Sequence, residues 1–231
     1  MTTTVFITGA AGNLGRAVAS AFAERGANLV LVDLERPALE KAFGAGDERR
    51  LLVPANLLDQ EQANTAVAKA LERFQRIDVL ANIAGGFRMG SPVHETKDAD
   101  WDFLLGLNAR SVLNTARAAV PAMLKAGGGK IVNIGAFAAQ RGAAELGAYV
   151  ASKSAVIRLT ETMAAELREK NINVNCVLPT IIDTPDNRAA MPKANPSRWV
   201  APADLANVIA FLASDAARAI HGAALPVTGL S

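Results

Sequence analysis

The segment from Val5 to Arg25 limits the fold more than any other part of the chain. Val5-Phe6-Ile7-Thr8 is an unbroken apolar run of strand length. Continuous rather than alternating apolar character predicts a strand covered on both faces, as in a parallel sheet. The run stops at Gly9-Ala10-Ala11-Gly12-Asn13-Leu14-Gly15, and a helix is expected from Leu14 to Arg25, closed by Gly26. A strand that leaves through such a turn into a helix brings unpaired N–H groups and the positive end of a helix dipole to one spot. Glycines allow the tight turn, close approach of the backbone to a phosphate, and close helix–strand packing. Gly9, Gly12, Asn13, Leu14 and Gly15 are therefore candidate contacts to the pyrophosphate of a dinucleotide. Turns are glycine-rich in any case. The strand-to-helix context near the N-terminus is what favours the phosphate reading over a plain turn.

The alternation continues along the chain. Strands are expected at Asn28–Asp33, Leu51–Val53, Ile77–Ala81, Lys130–Ile134, Ile172–Val177 and Ala223–Val227. Between them come a short helix entered at Pro37, a helix capped by Asp59 and running to about Phe74, and a long helix over Asp98–Ala126. Further helices are expected over Ala148–Lys170 and Ala203–Ala213. Strands alternating with helices of this length imply an α/β, doubly wound parallel sheet of Rossmann type, about seven strands with helices on both faces. No repeat, linker or low-complexity tract divides the sequence, so residues 1–231 are expected to form one dinucleotide-binding domain. The Pro-containing stretch from Pro179 to Pro202 interrupts the pattern. A loop of that length in a compact domain is usually functional, and here it is expected to cover a substrate.

Charge and cysteine content exclude several function classes. The formal net charge is only +2 and the basic residues are dispersed, which gives no footprint for nucleic acid or an anionic membrane. No apolar stretch approaches the ~20 residues a membrane helix needs. The strand begins directly after Met1-Thr2-Thr3-Thr4, without space for a signal peptide. The lone Cys176 sits in an apolar run and is expected to pack in the core, so no internal disulfide is possible. A cytoplasmic location is the expectation. His94 and His221 have no metal-ligand spacing and are expected at the surface, and no metal site is expected.

Two further features carry chemistry. Asp33 ends the second strand, where a carboxylate accepts hydrogen bonds from the adenosine ribose and repels a 2′-phosphate. NAD is therefore expected over NADP, with Arg16 and Arg36 as cations that would soften the preference and an ordinary solvated aspartate as the bland alternative. Tyr149 and Lys153, four apart in a helical segment, project from one face. An ammonium beside the phenol, with the positive nicotinamide ring, is expected to lower the tyrosine pKa and make it a proton donor or acceptor. Such spacing is common by itself and gains meaning only from the N-terminal turn.

Together with these residues, Asp78-Val79-Leu80-Ala81-Asn82-Ile83-Ala84-Gly85, Lys130-Ile131-Val132-Asn133-Ile134, and Asn173-Val174-Asn175 to Pro179 with Thr184 resemble the short-chain dehydrogenase/reductase family over essentially the whole chain. The resemblance implies that Asn108 orders a water linking Lys153 to solvent. It implies that Asn56 and Leu57 lie against adenine, that Asn82, Ala84 and Gly85 lie beside the adenosine ribose, and that Ile182 and Thr184 meet the nicotinamide carboxamide near Pro179. The alanine-rich helices over Asp98–Ala126 and Ala148–Lys170 resemble the family's subunit-packing helices, which implies a homodimer or homotetramer. Trp101 and Phe103 are read as core or subunit contacts.

The sequence departs from the family pattern at three places. Asn13 stands where a glycine is commonest, and Asn56 stands where an aspartate is usual. The family's catalytic serine lies thirteen residues before the tyrosine, and that position is Ala136. Losing one hydrogen-bond donor to a reacting oxygen costs on the order of 10²–10³ in rate. In this respect the chain resembles the quinonoid dihydropteridine reductases. The shared features are Gly135-Ala136-Phe137-Ala138-Ala139, Ala84-Gly85-Gly86-Phe87, and a loop carrying Asp183-Thr184-Pro185, Asn187-Arg188, Met191-Pro192, Ser197, Trp199 and Pro202. That likeness implies an electrophilic quinonoid ring as a small-molecule substrate, with Ala136, Phe87, Arg188 and Trp199 around it. For Trp199, Met191 and Arg188 the alternative is packing of a long loop on the sheet edge. Two other functions stay open at this point: a general carbonyl or hydroxyl dehydrogenase, and a catalytically quiet NAD(H)-binding sensor or scaffold.

Overall fold

The computed structural model describes residues 2–231. Its strands are β1 (Thr4–Thr8), β2 (Asn28–Asp33), β3 (Arg50–Pro54), β4 (Val79–Asn82), β5 (Gly129–Ile134), β6 (Ile172–Pro179) and β7 (Ala224–Val227). The helices are α1 (Asn13–Ala23), α2 (Arg36–Phe43), α3 (Gln60–Phe74), α4 (Asp98–Leu104), α5 (Ser111–Ala126), α6 (Gly147–Leu167), α7 (Pro185–Ala190) and α8 (Pro202–Leu212). All seven strands pair in parallel, in the order β3-β2-β1-β4-β5-β6-β7. The chain reverses its direction of sheet growth between β1 and β4, with Thr8 registered against Asn82. Ligands of open α/β sheets bind at such a switch point, beyond the carboxyl ends of the strands.

Alternate residues of each strand feed opposite faces of the sheet. Val5 and Ile7 of β1 pack with Leu29 and Leu31 of β2 under α1 and α8, through Val18, Phe22, Leu205 and Ile209. Phe6, Val30 and Val32 face the other way, towards Ala66 and Ala70 of α3 and Ala119 and Met123 of α5. β6 is buried along its whole length. Continuous apolar strands in the sequence thus mark continuous burial in the fold.

The structure departs from the sequence expectations in local detail. The stretch from Asp98 to Ala126 is not one regular α-helix: Leu105–Arg110 between α4 and α5 winds as a π-turn, with Asn108 buried inside it. Such single-turn insertions occur inside otherwise regular helices. The stretch from Pro179 to Pro202 is not an irregular loop. It contains α7, a short 3₁₀ turn at Pro196–Arg198, and an isolated bridge between Ile182 and Val200. Thr184 caps α7 by accepting from the Asn187 amide at 3.2 Å. Smaller shifts affect β4, which starts two residues later than expected, and α6, which ends in a 3₁₀ turn over Arg168–Lys170.

Candidate active site

The glycine turn closes on itself at the switch point. Gly9 has φ +62°, and a Cβ there would lie 2.8 Å from the backbone of Ala84. A Cβ on Gly15 would fall 2.1 Å from the Gly9 carbonyl oxygen, so only glycine lets α1 start this close to β1. Thr8 accepts from the Ala84 amide at 3.0 Å through its hydroxyl and ties the ends of β1 and β4 together. No side chain caps the N-terminus of α1. Asn13, which could have done so, is engaged by Arg16 at 2.7 Å, and Arg16 also donates to the Ala11 carbonyl at 2.7 Å. The turn therefore presents uncapped backbone amides in a cradle without Cβ atoms, which fits the phosphates of a dinucleotide.

The carboxylate of Asp33 is held by backbone. Oδ2 accepts from the Ala11 amide at 2.9 Å and Oδ1 from the Leu34 amide at 2.8 Å. This fixes the acidic group at the rim of the glycine turn, with lone pairs left for further donors. Leu57 packs in the core, and Asn56 turns its side-chain oxygen to the Leu58 amide at 3.0 Å. The side chain of Asn82, expected beside the ribose, is engaged within the protein. Its amide donates to Asn133 at 2.8 Å and accepts from the Thr115 hydroxyl at 2.8 Å, deep between sheet and helices. Asn133 continues this chain to Thr160 at 2.9 Å. Buried amides need partners, and these have found theirs inside the core.

Tyr149 and Lys153 project from the first turns of α6 towards the ends of β4 and β5. Lys153 is buried, and its Nζ donates to the Ile134 carbonyl at 2.8 Å. Burial lowers its pKa to about 8. Tyr149 is pushed the other way, up to about 12, because its phenolate would be desolvated. The expected lowering relies on the positive nicotinamide ring as well as the ammonium; in the protein by itself the ammonium donates to a backbone carbonyl and desolvation sets the direction for the phenol. Ala136 is buried at the end of β5 among Val156, Ile157, Cys176 and Leu178, with Tyr149 packed against the same cluster. The ring of Phe87 meets that of Tyr149 edge-on, centroids 4.8 Å apart, while staying 57% exposed. A large apolar side chain left that open beside a partly buried phenol is a surface against which an apolar ligand can pack.

Asn108 reaches this centre from the π-turn. Its side chain accepts from the Gly86 amide at 2.9 Å, donates to the Gly86 carbonyl at 3.1 Å, and donates to the Ser152 hydroxyl at 2.9 Å. A Cβ on Gly85 would lie 2.9 Å from Asn108 Oδ1 and 3.1 Å from Lys153 Nζ, so Gly85 lets the two side chains close around one backbone position. Sequence reasoning missed Thr8 and Ser152. Both lie inside motifs already singled out, and their roles emerge only from contacts 76 and 44 residues away in the chain.

The other expected substrate contacts divide. Trp199 is buried at 7% exposure, with its carbonyl against Gly229. Arg188 is exposed and forms a two-point pair with Asp183, at 2.6 and 2.8 Å, which leaves it at the outer rim of α7. Pro179 ends β6, and Ile182 and Thr184 follow it on the same side of the sheet as the glycine turn's exit. Cys176 is buried, and His94 and His221 are exposed. Among the described residues no cluster of three or more His, Cys, Asp or Glu could hold a metal, and no helix is long and apolar enough to cross a membrane.

A family model described as enoyl-(acyl carrier protein) reductase matches residues 9–229. A 3-oxoacyl-[acyl-carrier-protein] reductase of Thermotoga maritima is 34% identical over 96% of this chain and 95% of its own length. The chain belongs to the short-chain dehydrogenase/reductase family. Among solved structures, that of levodione reductase superposes with a TM-score of 0.90 at 31% identity, covering 98% of this chain and 96% of that one. A carveol dehydrogenase of Mycobacterium avium in complex with NAD gives 0.89 at 28% identity, covering 98% and 96%. This short-chain dehydrogenase/reductase is accordingly an NAD(P)-dependent oxidoreductase, and the sensor or scaffold alternative falls away.

Proposed function

We propose that the protein is an NAD(H)-dependent reductase of an activated C=O or C=N group, with a quinonoid dihydropteridine as the first substrate to try. The observation that carries this reading is the methyl group at position 136: Ala136 is buried in the cluster against which Tyr149 packs, and it offers no second hydroxyl. In this reading Gly9, Gly12, Asn13, Leu14 and Gly15 cradle the pyrophosphate. Asp33 takes the adenosine ribose and disfavours NADPH, Leu57 and Asn56 border the adenine, and Ala84 and Gly85 offer backbone to the near ribose. Pro179, Ile182 and Thr184 border the nicotinamide end. The cofactor supplies a hydride when bound. Tyr149 Oη gives its proton to the substrate oxygen or nitrogen, and Lys153, whose charge changes near pH 8, lies on the route by which that proton is replaced. Asn108 orders the polar end of that route.

With one donor in place of two, the substrate must supply reactivity of its own, because a missing donor costs on the order of 10²–10³ in rate. A planar ring also suits the open face of Phe87. The reductase is proposed to act in the cytoplasm as a homodimer or homotetramer. The groove between Leu58, Trp101, Leu105, Leu113 and Leu159, with Trp101 and Leu58 both exposed, is the surface that supports an oligomer.

A general carbonyl or hydroxyl dehydrogenase is the second reading, favoured by relatives named as D-threitol dehydrogenase and NAD-dependent glycerol dehydrogenase. NADH oxidation with quinonoid dihydropterin, aldehydes, ketones and polyols, the last with NAD⁺, separates the two. Faster turnover of the pterin supports the first reading. Comparable turnover of unactivated ketones or alcohols supports the second.

A further inference from the structure

We infer that Ser152 is a positioning residue for the reaction, acting as the buried acceptor that, together with Gly86, holds the Asn108 amide in one direction. Ser152 is fully buried in α6, directly before Lys153. A hydroxyl has one proton to give, and this one goes to the Tyr149 carbonyl at 2.8 Å. The oxygen that Ser152 turns towards Asn108 is therefore an acceptor only. It takes Nδ2 of Asn108 at 2.9 Å, which leaves Oδ1 for the Gly86 amide at 2.9 Å. A flipped amide would set oxygen against oxygen at Ser152 and N–H against N–H at Gly86. The clash at Ser152 is buried, where unmatched polar groups are most costly, and those at Gly86 are partly buried.

The orientation matters because of what it holds. Gly86 is gripped at both its amide and its carbonyl. Gly85, one residue earlier, is wedged between Asn108 Oδ1 and Lys153 Nζ. Phe87, one residue later, lays its ring edge-on to Tyr149. One helix thus carries the phenol, the ammonium and a hydroxyl that bears on the Gly85–Phe87 segment through Asn108. The amide and carbonyl of Gly86 favour the same direction, and Ser152 adds the buried acceptor that enforces it from α6.

The inference rests on the reading of Tyr149 as proton donor, and the experiment separates the two. Ser152→Ala, Asn108→Ala, the double variant and Tyr149→Phe are compared with wild type by NADH oxidation with quinonoid dihydropterin, or with the best ketone of the panel. Hydrogen exchange of residues 83–90 is followed in parallel. Alanine suits a helix interior, so Ser152→Ala is expected to fold. Its kcat should fall about 10- to 100-fold, the scale of a small misplacement of reacting groups. KM for NADH should stay within about twofold, and residues 83–90 should exchange at least about tenfold faster while the rest of the sheet keeps its protection. In the Asn108→Ala background the same substitution should cost nothing further, because residues in one network are not additive. Unchanged kcat, independent multiplication of the two effects, or loosened exchange throughout the sheet would each overturn the proposal. If Tyr149→Phe keeps full turnover, the donor reading fails, while exchange at 83–90 still decides whether Ser152 holds Asn108.

Discussion

The two halves of the sheet use different means to build one site. On the β1–β2–β3 side the structure works through backbone. Gly9 and Gly15 are defined by the absence of a Cβ, α1 starts without a side-chain cap, and even Asp33 is set by two main-chain amides. On the β4–β5–β6 side it works through buried side chains: Asn82, Thr115, Asn133 and Thr160 in one chain, Asn108 and Ser152 in another, Lys153 against Ile134. The first half recognises shape and leaves little freedom, because a methyl group at 2.1 Å cannot be accommodated. The second half carries chemistry and can trade one side chain for another, as the methyl of Ala136 at the end of β5 indicates.

This contrast yields predictions of decreasing size. Tyr149→Phe removes the proposed proton donor and should lower kcat by about 10²–10⁴, the usual contribution of general acid catalysis, with the Kd for NADH unchanged. Steady-state rates and fluorescence titration check this, and a loss confined to cofactor affinity would place Tyr149 with the first half. Gly15→Ala should do the reverse: cofactor affinity drops by about 10² or the domain loses cohesion, since the Cβ meets backbone and not a movable side chain. A Kd within about threefold of wild type would break the contrast. Asp33→Ala should raise kcat/KM for NADPH relative to NADH by about tenfold, one hydrogen-bonded charge being worth roughly 1.5–3 kcal/mol. An unaltered ratio would move the selectivity elsewhere on the rim.

The smallest effect concerns pH. Lys153 binds its proton more weakly in the folded protein, about 8 against 10.5 when unfolded. Between those values the unfolded chain holds the extra proton, so this group adds stability as pH rises from about 8 to 10.5 and opposes folding most below 8. Tyr149 has the opposite sign: its folded value of about 12 exceeds the ordinary 10, and its contribution is present below pH 10 and lost from 10 to 12. The Tm difference between Lys153→Met and wild type should therefore move in favour of wild type between pH 8 and 10. A constant difference would mean that the buried ammonium is not destabilised.

What could be read in the sequence follows the same division. The alternation of apolar strands and helices, and the glycines from Gly9 to Gly15, are short-range patterns, so β1, α1, β2 and the cradle are visible in consecutive residues. The pairs that define the second half are distant in sequence. Nothing near Asn108 announces the π-turn that points it inward, and Ser152 looks like an ordinary helix serine until it is seen against Asn108. The covering of Trp199 and the raised tyrosine pKa escape the sequence for one reason: both depend on burial, which pattern alone does not supply. Trp199 is covered, and Tyr149 is desolvated while Lys153 is engaged elsewhere.

The central claim is that a tyrosine without a companion hydroxyl restricts this reductase to an easily reduced substrate. Stopped-flow NADH oxidation with quinonoid dihydropterin and with cyclohexanone, in wild type and Ala136→Ser, tests it most directly. The account predicts fast turnover of the pterin by wild type, little of the ketone, and a rise of about 10² in the ketone rate on restoring the hydroxyl, with the pterin rate nearly unchanged. Equal wild-type rates on the two substrates, together with indifference to Ala136→Ser, would contradict it.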